Sequence, residues 1–293
     1  MSPGTRDGGR RAAGFVLAAA AAGAVLLLWW VFVNHPGGQR LEQVAYEGSS
    51  IGRTRLEDSA QQILDVVSVP FLAVVIVVGM SISLIRGRGR DALAVAVVVA
   101  GANVTTQVLK YHVLERPDFT GAAQMHWNSL PSGHTTVAAT VGAAALLATV
   151  PRWRWLATLL GFAYAGGTGI STMIGGWHRA SDVVAAFFVV VAWIVLVSAV
   201  LRIGGDPVPA GTPSWMVAAD RYTRRLFLVV GLAAGFAALL SLMLTTQSDG
   251  SSRAELLIAY GGASVGVLSV ACLTAFVALW FAGPRPASPR PRG

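Results

Sequence analysis

The chain has 293 residues, of which 54% are hydrophobic and 12% are charged, a balance far from that of soluble domains. Its formal net charge of +8 comes from residues scattered between apolar runs, which argues against nucleic-acid binding. The single cysteine, Cys272, excludes an internal disulfide and a cysteine metal cluster. The composition predicts an integral membrane protein. One lysine beside abundant Arg, Ala, Gly and Val is typical of a bacterial, GC-rich genome.

Eight apolar segments approach the length of about 20 residues that a helix needs to cross a bilayer. They cover residues 12–33, 63–85, 92–109, 135–150, 156–174, 183–201, 225–246 and 256–282. We expect the first to be an uncleaved anchor, because its apolar run exceeds that of a signal peptide and ends in bulky residues. The predicted fold is an all-α, polytopic transmembrane helix bundle.

The positive residues are distributed unequally between the connecting segments. With a cytoplasmic N-terminus, fifteen of the twenty-two lie in or beside 1–11, 86–91, 151–155, 202–224 and 283–293, as the positive-inside rule predicts for cytoplasmic segments. The only lysine and all five histidines fall in or beside the outer segments: Lys110, His35, His112, His126, His134 and His178. This predicts a plasma or inner membrane protein with cytoplasmic termini and an active site on the non-cytoplasmic face.

The outer segment LKYHVLERPDF places two cations, Lys110 and Arg116, at the membrane surface. Pro117 favours an extended backbone at Arg116. Two such cations could hold a phosphate. Alternatively, Lys110 extends its charged end to the interface and stabilises a helix C-terminus.

The next outer segment, NSLPSGHTT, places Ser132 and Gly133 at the start of the fourth predicted helix. A helix N-terminus favours an anion, and glycine permits its close approach. His134 would then lie within reach of a bound phosphate. The simpler interpretation is an ordinary turn with Ser132 as N-cap.

The third outer segment, STMIGGWHRASD, contains His178 and Asp182, four residues apart. If a helix begins near His178, this spacing puts both side chains on one face. The carboxylate would keep one imidazole nitrogen protonated and leave the other as a nucleophile. Alternatively, Asp182 only caps the helix and His178 is an interfacial ring.

Because the fourth and fifth predicted spans form a hairpin, these three segments lie on the same side of the membrane. Their residues resemble the type 2 phosphatidic acid phosphatase family, whose signature is roughly KxxxxxxRP, PSGH and SRxxxxxHxxxD. The matching stretches are Lys110 to Pro117, Pro131 to His134 and Ser171 to Asp182, within a resemblance that covers about residues 63–201.

The resemblance implies a role for each site residue. His178 would attack phosphorus to form a phosphohistidine, Asp182 would orient it, and His134 would protonate the leaving oxygen. The phosphate would be bound by Lys110, Arg116, Ser132 and the Gly133 amide. No cofactor and no metal ion are expected.

Two departures from the signature affect the phosphate site. Five residues separate Lys110 from Arg116 where the family has six, and on a continuous helix one missing residue rotates the pair by about 100°. Unless the flexible Lys110 stem compensates, the segment must unwind before Arg116. In addition, Thr172 takes the place of the family's second phosphate-binding arginine, and threonine donates a hydrogen bond but no charge. We hypothesise that Arg179 supplies the missing charge.

The predicted organisation follows from these segments. Residues 1–11 are a basic cytoplasmic N-terminus, 12–201 a six-helix phosphatase core with catalytic residues in 110–182, 202–224 a cytoplasmic loop, 225–282 two C-terminal transmembrane helices and 283–293 a disordered basic tail. The two extra helices could cover the flank of the core, form a dimer interface or shape an entrance for a long tail.

The predicted function is a metal-independent lipid phosphatase. The resemblance implies a polyprenyl (pyro)phosphate, phosphatidic acid or phosphatidylglycerophosphate as substrate, and places the protein in phospholipid or cell-envelope metabolism. Partners are the lipid phosphate and the bilayer, with no nucleic acid, and a homo-oligomer is left open. The alternatives are a lipid phosphotransferase with the same intermediate, or a noncatalytic phospholipid-binding or transport protein.

Overall fold

The computed structural model describes residues 3–65, 69–119, 128–204 and 208–283, and within these ranges it contains helices and no strand. The helices are α1 (Pro3–Leu28, continued by a π-helical turn, Trp29–Val33), α2 (Pro36–Asp65), α3 (Val69–Ile85), α4 (Gly89–Val108, continued by a π-helical turn, Leu109–Val113), α5 (Gly133–Ala148), α6 (Arg154–Ile174, preceded by a 3₁₀ turn, Pro151–Trp153), α7 (Ala180–Leu201), α8 (Ser214–Thr246) and α9 (Arg253–Ala282). The predicted all-α class is confirmed.

Five of the described helices are long and apolar enough to cross a bilayer: α1, α4, α7, α8 and α9. The apolar helices α3 and α5 have 17 and 16 residues, which is less than the roughly 20 that a full span needs. The protein is therefore a multi-pass membrane protein. The further three spans, and the side of the membrane on which each end lies, stay predictions.

Helix α2 is the main departure from the sequence-based expectation. The sequence predicts spans at residues 12–33 and 63–85 and identifies no helix between them. Instead α2 extends to Asp65 and α3 begins at Val69. The segment mixes polar and apolar residues, so it lacks the continuous apolar run that identifies a span. Helix α2 packs against α6 and α9, and its buried residues include Gln39 and Val44.

Small residues let α5 and α6 approach closely. A β-carbon on Gly161 would lie 2.5 Å from the Cα atom of Gly142, so neither helix could carry a larger residue at this crossing without moving apart. On the same helix, a β-carbon on Gly169 would meet the Val183 side chain at 2.6 Å. The glycine-rich stretch of α6 therefore serves tight helix packing.

The chain direction defines two ends of the bundle. The ends of α4 and α6 lie beside the starts of α5 and α7, and this end carries the three motifs. At the opposite end, the fully buried Arg154 forms an ion pair of 3.2 Å with Asp91. Arg154 also donates hydrogen bonds to the carbonyls of Thr149 and Ala282. These bonds attach the last turn of α9 to the α4–α6 core.

Candidate active site

The loop between α6 and α7 folds His178 back over the end of α6. Gly176 has φ +71, a left-handed conformation that glycine adopts without strain. After this turn, the amides of Trp177 and His178 donate to the Thr172 carbonyl at 2.9 and 3.3 Å. His178 is 5% exposed, so its position is set by backbone hydrogen bonds and burial together.

Asp182 receives two hydrogen bonds on one carboxylate oxygen. Its Oδ2 atom lies 3.1 Å from His178 Nδ1 and accepts from the Arg179 amide at 2.9 Å. An ionised carboxylate only accepts hydrogen bonds, so Nδ1 carries the proton and the Nε2 lone pair is left for chemistry. Helix α7 begins at Ala180, so His178 lies outside it, and the contact arises from helix-cap geometry instead of the shared helix face that we predicted.

The PSGH segment is joined directly to the start of α7. The Ser132 amide donates to the backbone carbonyl of Asp182 at 2.9 Å. Ser132 is the N-cap of α5, as expected, and its Oγ accepts from the Thr135 amide and hydroxyl at 3.3 and 3.0 Å. Since both bonds use Ser132 as acceptor, its own hydroxyl proton is left for another partner. Gly133 begins the helix beside it.

The two motif histidines are neighbours. The ring centroids of His134 and His178 are 6.4 Å apart, and His134 also lies 5.3 Å from the Trp177 ring. His134 is on the first turn of α5 and His178 is on the loop before α7, so the α5–α6 hairpin brings together residues 44 positions apart in the sequence. This juxtaposition is the one that the hairpin argument predicts.

Lys110 and Arg116 lie in a segment that leaves the helix between them. Lys110 is in the π-helical turn that ends at Val113, and Leu114 is extended. Of the two alternatives for the shortened spacing, unwinding before Arg116 or compensation by the Lys110 side chain, the structure shows the unwinding. Both cations line one cavity together with Asn128, whose side-chain amide donates to the Lys110 and Leu130 carbonyls. Asn128, which sequence reasoning did not identify, thus holds the PSGH segment against the end of α4.

Arg116 is a half-buried cation. Its Nη1 atom is buried and has no hydrogen-bond partner among the described residues. Burial, followed by repulsion from Arg179, lowers the pKa of Arg116 below its ordinary value. Arg179 itself is 7% exposed. Its guanidinium also lies over the Tyr46 ring, 5.6 Å from the centroid.

Thr172 does not replace the missing arginine in chemical terms. The side chain is fully buried, and its hydroxyl donates to the Gly169 carbonyl at 2.7 Å. The single hydroxyl proton is thus used within α6. Thr172 contributes to the site through its backbone carbonyl, which accepts the His178 amide and so positions the His178 backbone.

Helix α2 adds residues that sequence reasoning missed. The buried Glu42 accepts a hydrogen bond from the Ser181 amide at 3.1 Å through Oε1, and its Oε2 has no hydrogen-bond partner in the described part of the chain. Burial, then repulsion by Asp182, raises the pKa of Glu42 to about 7. Arg53 of the same helix donates to the Ile174 carbonyl at 2.9 Å. The sequence does show the Glu42 carboxylate among apolar residues of α2, which could have marked it as a candidate site residue. Its neighbours in other helices are visible only in the folded structure.

The described residues contain no group of three or more His, Cys, Asp or Glu side chains that could hold a metal ion. The candidate site is instead rich in histidine and cations, joined to carboxylates at Asp182 and Glu42. Such a set of groups can bind an anion and move protons near it.

The region that contains the three motifs also matches a known family. Residues 91–203 match the family model of the PAP2 superfamily. In this part the chain is similar to that superfamily. The match includes α4 to α7 and every motif residue, which confirms the resemblance, and it supports a phosphoric ester hydrolase because superfamily members are phosphatases. No curated protein and no solved structure matches the chain. Helices α2, α8 and α9 lie outside the matched residues.

Proposed function

We propose that the protein is a membrane lipid phosphatase that hydrolyses a phosphomonoester or pyrophosphate of a lipid through a phosphohistidine on His178. The observation that carries the proposal is the hydrogen bond between His178 Nδ1 and Asp182 Oδ2. The backbone carbonyl of the same Asp182 accepts a hydrogen bond from the Ser132 amide of the PSGH segment. This arrangement places an oriented imidazole beside a helix N-terminus, which is a favourable place for a phosphate.

The phosphate lies among donors from all three motifs. Lys110, Arg116 and Arg179 provide positive charge, while the Ser132 hydroxyl and the Gly133 amide donate hydrogen bonds at the start of α5. Their shared task is to stabilise the negative charge that spreads over the phosphoryl oxygens in the transition state. Arg179 thereby supplies charge in place of the arginine that the signature has at Thr172.

The reaction proceeds in two displacements. In the first, the Nε2 lone pair of His178 forms a bond to phosphorus, the bond from phosphorus to the lipid oxygen breaks, and His134 gives that oxygen a proton. In the second, His134 takes a proton from water as the water oxygen attacks phosphorus, and the bond from phosphorus to His178 breaks. Phosphate leaves and both histidines return to their starting states. Asp182 keeps Nδ1 protonated throughout, as the orienting carboxylate of a catalytic triad does.

A substrate panel tests this function. The purified protein in detergent and EDTA is given dioleoyl phosphatidic acid, phosphatidylglycerophosphate and undecaprenyl pyrophosphate, and phosphate release is measured. We expect release from at least one lipid in the wild type, and a loss on the order of 10³-fold or more in His178→Ala. His35→Ala is the matched control, since His35 is an exposed histidine that precedes α2 outside the motif cluster.

Three outcomes would contradict parts of the proposal. Equal rates in wild type and His178→Ala exclude His178 as the nucleophile. Loss of activity in EDTA contradicts a metal-independent mechanism. If His178 becomes phosphorylated in an acid-labile form but no phosphate is released, the hydrolase hypothesis is wrong and a phosphotransferase is indicated, because both activities share the covalent intermediate.

A further inference from the structure

A cavity of about 540 Å³ opens beside His178 and Arg179 and continues between the helices. Glu42 and Ser181 also line this end. Away from the site, its walls come mainly from α8 and α9, between Gly231 and Thr245 on one helix and between Ala259 and Leu273 on the other. We name it the tail cavity. Its volume lies within the range of roughly 300 to 1,000 Å³ that is usual for ligand sites.

The walls of the tail cavity are apolar even where hydroxyl residues line them. Three of these hydroxyls donate to helix carbonyls: Ser241 to Ile258 at 2.7 Å, Thr245 to Ser241 at 2.9 Å and Ser269 to Gly231 at 2.7 Å. Each of these side chains therefore has no hydroxyl proton left for a ligand. The charged side chains and the imidazole of the lining, Arg179, Glu42 and His178, are gathered at the end next to the candidate active site.

The length and the opening of the tail cavity also fit a membrane lipid. Its α8 wall extends over 15 residues, from Gly231 to Thr245, and the first and last Cα atoms of such a helix are about 21 Å apart along its axis. A bilayer core is about 30 Å thick, so the cavity is longer than half of it. On the side of the bundle that would face lipid, the cavity is lined by Leu232, Phe236 and Leu239, which are 59%, 66% and 58% exposed. These positions make the cavity accessible from the lipid side of the bundle.

We propose that the tail cavity binds the hydrocarbon tail of the phosphorylated lipid while its phosphate lies against His178 and Arg179. This inference rests on the proposed function, and it gives α8 and α9 a role in recognising long-chain substrates. The matched superfamily region ends at residue 203, so this wall is a feature of the chain beyond that region. Long-chain and short-chain lipids would differ in affinity because they bury different amounts of apolar surface. For every two methylene groups that the cavity no longer buries, long-chain binding weakens by about 10-fold.

Two neighbouring alanines of α8 provide a matched pair of variants. Ala238 lines the tail cavity, whereas Ala237 is exposed and does not. We expect Ala238→Phe to raise KM for dioleoyl phosphatidic acid by about 10-fold or more and to leave turnover of p-nitrophenyl phosphate and dihexanoyl phosphatidic acid unchanged. Ala237→Phe should affect none of the three. Ala45→Phe narrows the cavity from α2 and should reproduce the effect without altering the α8–α9 contact.

A binding readout separates this inference from the proposed chemistry. Dioleoyl phosphatidic acid with a diazirine in one acyl chain is irradiated with the His178→Ala protein, and the labelled peptides are mapped. We expect labels on α8 and α9 between Gly231 and Leu273, lost in Ala238→Phe. If α8 and α9 are labelled but the wild type does not hydrolyse the lipid, the tail-binding proposal stands and the proposed phosphatase function is wrong. The tail site is overturned if the wild type hydrolyses the lipid but the labels lie only outside α8 and α9. It is also overturned if Ala238→Phe and Ala237→Phe have equal KM values for dioleoyl phosphatidic acid. A change of oligomeric state in Ala238→Phe overturns it as well, since that identifies the face as a contact between two copies.

Discussion

The carboxylate of Glu42 makes the stability of the protein depend on pH in a direction that can be worked out from its surroundings. Burial and the nearby Asp182 raise its pKa from 4.5 to about 7, against the opposing attraction of Arg179 and Arg116. Between these two pH values the folded protein keeps a proton that the unfolded chain releases. The stability contribution of this proton is therefore complete below pH 4.5 and lost as the pH rises through 7.

The magnitude follows from the same shift. Each tenfold difference in proton affinity is worth about 1.4 kcal/mol, so a rise from 4.5 to about 7 corresponds to about 3 kcal/mol. Glu42→Gln keeps the shape of the side chain and an oxygen that can accept from the Ser181 amide, but it cannot ionise. We expect the variant to gain about 3 kcal/mol of stability relative to the wild type between pH 4.5 and pH 8.

The assay is unfolding in detergent, followed by the fluorescence of the nine tryptophans at several pH values from 4.5 to 8. Glu47→Gln is the control, because Glu47 is an exposed carboxylate of the same helix. Its stability curve should run parallel to that of the wild type, whereas the Glu42→Gln curve should be flatter. Parallel wild-type and Glu42→Gln curves would refute the reasoning, since they would show that Glu42 does not keep its proton in the folded protein.

Three further predictions concern the nucleophile, the far end of the bundle and the topology. Asp182→Asn should lower kcat by about 10²- to 10⁴-fold with little change in KM; a change in KM alone would contradict the orienting role. Arg154→Ala, which leaves a buried carboxylate without this partner, should destabilise the protein by about 3–5 kcal/mol in unfolding assays, while an effect below about 1 kcal/mol would argue against a structural role. In a Cys272→Ala background, a membrane-impermeant maleimide added to intact cells should label Asp249→Cys and spare Arg152→Cys, and the reverse pattern would invert the proposed orientation.

The local parts of the site were predictable from sequence, because their signals are local. The start of α5 at Gly133 follows from a cap residue at Ser132, and the break between Lys110 and Arg116 follows from helix geometry and Pro117. The proximity of His178 and Asp182 was predicted correctly, but for a different reason. The helix begins two residues after His178, and cap geometry makes the contact.

The missed parts depend on contacts between distant segments. No apolar run identifies α2, and the hydrogen-bond partner of Glu42 is the Ser181 amide, 139 residues away in the sequence. The tail cavity likewise arises from the way α8 and α9 pack, and neither helix contains a motif for it. Thr172 is intermediate: the sequence reveals that an arginine is missing, and only the structure reveals that the hydroxyl is already bonded to Gly169.

The bond from the Ser132 amide to the Asp182 carbonyl has a consequence for how such a site can diverge. It joins two main chains, so no side-chain replacement at either position removes its donor or acceptor, except a proline at Ser132. In the proposed mechanism this one bond sets the register between the phosphate-binding helix start and the residue that orients the nucleophile. The cations around the phosphate can therefore change in number and spacing, as they have at Thr172 and between Lys110 and Arg116, while the reacting atoms keep their alignment.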